Sequence, residues 1–108
     1  MIKKSFKRYL YFQPEITVHK DLEGFFTEDF AIEIDIVIDV LNQTVLNEET
    51  ISLLNEIHFR IQKAGFCMVL IKNNQSDIFN YKNLICTPTL QEAEDYIEIE
   101  HIQRDLGI

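Results

Sequence analysis

The residues able to do chemistry are few and widely spaced. His19, His58 and His101 form no HxH, HExxH or HxxxH pattern, so no single helix or strand brings two of them to one metal ion. Cys67 and Cys86 stand nineteen residues apart with no CxxC pair. That argues against a thioredoxin-type redox site or a zinc ribbon, and the apolar surroundings of both predict buried free thiols. The three glycines are too dispersed for a GxGxxG or Walker A loop, and Ser5, Ser52 and Ser76 lack the neighbouring glycines of a nucleophile elbow. Carboxylates are abundant, but no spacing among them marks a general acid and base couple. His58, on the same stretch as Glu56, reads as a surface or half-buried histidine rather than a general base. These residue types predict no enzyme, no metal and no cofactor. The rival reading is a small hydrolase or transferase using Asp39, His58 or the acidic cluster.

The elements that must position such residues follow from apolar spacing. Residues 5–20 mix aromatic and β-branched residues and predict two short strands, with Pro14 ending the first. Leu22, Phe25, Phe26 and Phe30 predict a short helix over 21–30, weakened by Gly24. Residues 32–41 become almost continuously apolar (IVIDVL), as in a central strand covered on both faces. Asn47 can cap the next helix, with Glu48 and Glu49 in its first turn where negative charge suits the helix dipole. Ile51, Leu54, Ile57, Ile61 and Ala64 recur every three or four residues, and Gly65 supplies a left-handed stop. A second apolar run over 66–71 completes strand, helix, strand, which predicts a right-handed crossover between parallel strands. Residues 72–84 predict a polar loop with a weak helical turn, and 85–87 a short edge strand closed by Pro88. Thr89 and Glu92 spell a capping box that opens a last helix running towards Gly107.

Length and charge bound what these elements can do. The chain has 108 residues, is 46% hydrophobic and 26% charged, and holds only three glycines and two prolines. That predicts one small α/β domain over residues 1–108. No apolar run approaches the roughly 20 residues of a membrane helix, and the first ten residues lack the apolar core of a secretory signal, so a cytoplasmic location is expected. Eighteen acids against ten bases give a net charge of −8, which disfavours duplex nucleic acid and anionic membranes as partners. No lysine or arginine lies between Lys20 and Arg60, a stretch that carries ten Asp and Glu. Lys3, Lys4, Lys7 and Arg8 make a small basic N-terminal arm that can pair with the domain's own acids.

The order of predicted elements resembles that of the STAS domain, the fold of bacterial anti-sigma factor antagonists. Locally, Ile36-Val37-Ile38-Asp39, a connection, Asn47-Glu48-Glu49-Thr50, the helix to Ala64, Gly65 and the apolar run over 66–71 resemble the family's central pattern. In that pattern an apolar strand ends in Asp, and Asp-Ser-Ser/Thr-Gly opens an amphipathic helix. The likeness covers roughly residues 32–105. It implies a STAS-like mixed sheet, a protein partner such as a kinase-type anti-sigma factor, and a binding surface at Asp39, Asn47, Glu48, Glu49 and Thr50. The family's phosphorylated serine is missing: both serine positions hold glutamate, and Asn47 and Thr50 replace the flanking Asp and Gly. The resemblance therefore implies a regulator without that phosphoswitch. The 88–107 stretch is also similar to small bacterial proteins that carry the label ribonuclease Z, but no two histidines here lie within thirty residues, so the nuclease's HxHxDH metal motif is absent.

Overall fold

The computed structural model describes residues 2–14, 18–41, 46–72 and 83–107. In chain order the elements are β1 (Ile2–Ser5), β2 (Tyr9–Gln13), α1 (Val18–Phe25), β3 (Asp35–Asp39), α2 (Glu48–Lys63), β4 (Met68–Ile71), β5 (Ile85–Thr87) and α3 (Leu90–Asp105). Among the described residues they form an α/β fold: a five-stranded mixed sheet in the order β1-β2-β3-β4-β5 with three helices. β1 runs antiparallel to β2, and the pairs β2–β3, β3–β4 and β4–β5 are parallel. The strand order advances one place with each element. Right-handed crossovers that all step in one direction lay their helices on one face, and α1 and α2 do share one.

Side-chain alternation sorts the core into two layers. Phe12, Ile36, Ile38, Met68 and Leu70 face Val18, Leu22 and Phe26 of the α1 segment and Ile51, Leu54, Ile57 and Ile61 of α2. Tyr9, Val37, Val69 and Ile71 point the other way and pack with Ala93 and Ile97 of α3. Every residue of β3 and β4 is buried, which explains why both read as continuous apolar runs rather than as alternating ones.

The caps act as the residue types predict. Asn47 Oδ1 accepts from the Thr50 N–H at 2.8 Å, and Thr89 Oγ1 accepts from the Glu92 N–H at 3.2 Å. Gly65 closes α2 at φ 89°, a conformation that a side chain disfavours.

Three expectations need correction. The first two strands lie over 2–13, joined at residues 6–8 where the Phe6 N–H donates to the Tyr9 carbonyl at 2.9 Å, so Pro14 ends the second strand and not the first. α1 begins at Val18 and stops at Phe25, earlier than the 21–30 span, because Val18, Leu22 and Phe26 make a better inward row than one centred on Phe30. Cys67 is buried as expected, whereas Cys86 is exposed on the edge strand β5. The turn predicted within 72–84 falls largely outside the described residues.

Candidate functional site

The first turns of α1 and α2 lie side by side at the carboxyl ends of β2 and β3, and between them is an open cleft of about 580 Å³. His19 and Glu23 line it from α1; Glu48, Glu49, Ser52, Leu53 and Glu56 line it from α2. Helical phase explains the set. Thr50, Leu54, Ile57 and Ile61 turn into the core, which leaves Glu48, Glu49, Ser52 and Glu56 outward and towards α1. His19 holds the floor of the cleft: its Nε2 lies 3.3 Å from Glu23 Oε1 and its Nδ1 lies 3.5 Å from Thr50 Oγ1. The far end of the α1 segment is fixed to α2 by Arg60, which donates to the carbonyls of Phe26 at 3.0 Å and Thr27 at 2.8 Å. Four carboxylates thus share one concave surface; Glu48 and Glu49 lie in the first turn of α2, whose partial positive charge offsets part of their repulsion, whereas Glu23 and Glu56 lie beyond the first turns of their helices.

The five residues implied by the resemblance divide into two groups. Asn47, Glu48 and Glu49 are exposed at the start of α2. Thr50 is only 3% exposed and its hydroxyl faces His19, so it does not project outward with the glutamates; position 50 falls on the inward row of the helix. Asp39 is 8% exposed and belongs to the opposite side of the sheet. Its Oδ2 accepts from the Tyr11 hydroxyl and its Oδ1 from the Leu41 N–H at 2.9 Å, so the carboxylate ties the end of β3 to β2 and to its own turn. Burial, and after it the hydrogen bond to Asp39, raises the Tyr11 pKa and keeps that hydroxyl a donor. The crevice that α/β sheets form where strand order reverses is missing here, because the described sheet never reverses. The cleft described above lies instead between α1 and α2.

The residues of the rival reading are not brought together. His58, expected at or near the surface, is instead buried on α2, on the far side of the sheet from the Asp39 carboxylate, and it does not line the cleft. No group of three or more His, Cys, Asp or Glu among the described residues is placed to hold a metal ion.

Sequence reasoning missed His19 and Glu23, whose roles arise only when α1 docks against α2. It also missed a buried cluster at the other end of the sheet. Asp35, fully buried at the start of β3, accepts from Arg104 Nη2 at 2.9 and 2.7 Å and from the Cys67 N–H at 2.9 Å. His101 Nε2 stands 2.8 Å from the same carboxylate, at ion-pair distance though outside hydrogen-bond geometry. The partners are 32 to 69 residues apart in sequence, beyond any local pattern. Their effect is to fasten the last turns of α3 to the amino ends of β3 and β4.

No helix among the described residues is long and apolar enough to cross a membrane. No model of a known protein family matches the chain, and comparison with curated proteins gives no match either.

Proposed function

We propose that this chain is a non-catalytic, protein-binding regulatory domain resembling an anti-sigma factor antagonist, and that it engages its partner through the exposed start of α2 and the acidic cleft beside it. The observation that carries the reading is the cleft itself. Glu23, Glu48, Glu49 and Glu56 converge on a wide, shallow recess, suited to a basic protein surface and too open to enclose a small substrate. The element order supports the resemblance, with strand, capped helix and parallel strand as the STAS pattern requires. In that family, phosphorylation at the helix start adds about −1.5 to −2 charges and switches affinity. Glu48 and Glu49 hold negative charge at the same two positions, and the hydroxyl that follows them, on Thr50, is buried, while the exposed Ser52 lies one turn into the helix. The domain is thus read as a binder whose charge at those two positions no phosphatase can remove.

Isothermal titration against the serine-kinase-type anti-sigma factors encoded in the same genome tests this, using wild type and Glu48→Gln/Glu49→Gln. The expected result is one binding partner, affinity that falls with added salt, and a loss of roughly tenfold in the double variant, mostly in the association rate. Intact-mass analysis after incubation with that partner and ATP should show no added phosphate. Unaltered affinity and salt dependence in a folded double variant would remove the start of α2 from the interface. A stoichiometric phosphate on Thr50 would restore the phosphoswitch.

A further inference from the structure

We propose that the outward face of α3 is a second docking surface, and that its occupant is a basic amphipathic helix of a protein partner. A helix lying on a sheet needs one apolar face, and α3 has two. Leu90, Ala93 and Ile97 go into the core. Ile99, Ile102 and Leu106, spaced three and four apart, form a row on the other side at 55, 52 and 68% exposure. Isolated exposed apolar residues are ordinary on any surface, but a row along one helix is the pattern of a helix-binding seam.

The charges around the row select the occupant. Asp95 continues it towards the helix start, Glu98 and Asp105 border one side and Glu92 borders the other, and all four are exposed. The one arginine of α3, Arg104, is turned inward and held by Asp35. Lys7 and Arg8 of the β1–β2 turn share a recess with Glu94 and Glu98 and offset part of the charge on that side, while α3 itself supplies no exposed lysine or arginine beside Glu92, Asp95 and Asp105. An apolar seam with an acidic rim is complementary to a helix that carries apolar residues on one face and Lys or Arg along its borders. A second copy of this chain fits poorly. Antiparallel pairing of two α3 helices through Ile102 would set Asp105 of each against Glu98 of the other, between chains that each carry a net charge of −8. The sheet separates this row from the cleft between α1 and α2, so the two surfaces can be occupied together.

The test uses the full chain and two synthetic amphipathic helical peptides, one built of Leu and Lys and one of Leu and Glu, with fluorescence anisotropy as the readout. The Leu/Lys peptide should bind and the Leu/Glu peptide should not. Ile99→Ser/Ile102→Ser should weaken binding about tenfold or more, because two partly exposed isoleucines no longer bury apolar area, with the circular dichroism spectrum unchanged. Glu98→Lys/Asp105→Lys, which leaves the apolar row intact, should weaken it comparably. Glu48→Gln/Glu49→Gln should leave it unaltered. Equal binding of both peptides, wild-type affinity in the Ile99/Ile102 variant, or loss in the Glu48/Glu49 variant would each overturn the assignment, the last by placing the peptide in the cleft. Sedimentation showing a concentration-dependent dimer that Ile99→Ser/Ile102→Ser abolishes would overturn it too, in favour of a second copy.

Discussion

His58 is held neutral by its position. It is buried on α2, its Nδ1 has no hydrogen-bond partner among the described residues, and burial lowers its pKa from the ordinary 6.5. The sign of the linkage follows. Below pH 6.5 the unfolded chain takes up a proton at this ring that the folded chain refuses, so stability falls as the pH drops through 6.5 and levels off only below the folded-state pKa. The slope from this one group is at most about 1.4 kcal/mol per pH unit. Urea unfolding at pH 7.5 and pH 5.5 should therefore show a loss of stability at the lower pH that His58→Leu reduces. An identical loss in the variant would mean that other groups govern the acid limb. Cys67 illustrates the same control by position: burial, then the Asp35 carboxylate beside it, pushes its thiol up to about 12, so it carries no thiolate at neutral pH and serves as a small core residue.

Among elements, α3 shows how a helix with little amphipathic character is still placed. Its inward row supplies only Ala93 and Ile97 as fully buried residues, so the ion cluster at its end carries much of the attachment. Removing Arg104 or Asp35 should not be equivalent. Arg104→Ala leaves a carboxylate with no exposure facing only the Cys67 N–H and His101, which costs about 3 kcal/mol. Asp35→Asn leaves a neutral amide that still bonds locally, and the Arg104 side chain, already 31% exposed, can reach water, so the loss is about 1–2 kcal/mol. Denaturant unfolding of both variants tests the order; a more damaging Asp35→Asn would show that the guanidinium, not the carboxylate, is the group that burial penalises.

The helices differ in how much of them could be read in advance. α2 was readable because Asn47, the three- and four-residue spacing and Gly65 all specify the same span locally. α1 was displaced because residues 18–30 hold two overlapping apolar rows, and only packing on Phe12 and α2 selects one. Of the cleft, Glu48 and Glu49 were visible as first-turn acids, but their convergence with His19 and Glu23 depends on a helix pairing that no local spacing encodes.

Across the whole molecule, the charge pattern sets stability and binding against each other. Glu23, Glu48, Glu49 and Glu56 share one recess in a chain of net charge −8, so folding concentrates like charges that the unfolded chain keeps apart. Two carboxylates about 10 Å apart in water repel by about 0.4 kcal/mol, and several such pairs amount to the order of 1 kcal/mol. Salt screens this repulsion over a Debye length of about 10 Å at 0.1 M, while the buried Asp35–Arg104 pair is screened far less. Raising NaCl from about 0.02 to 0.2 M should therefore stabilise the fold, by up to about 1 kcal/mol in urea unfolding. The same salt should weaken attachment of a basic partner to the cleft, because the field that strains the fold is the one that attracts it. Glu48→Gln/Glu49→Gln should flatten both dependences, since it removes two of the four charges while retaining shape. A folded state that loses stability with added NaCl would show instead that the acids are compensated within the chain, and that the recess presents no net field to a partner.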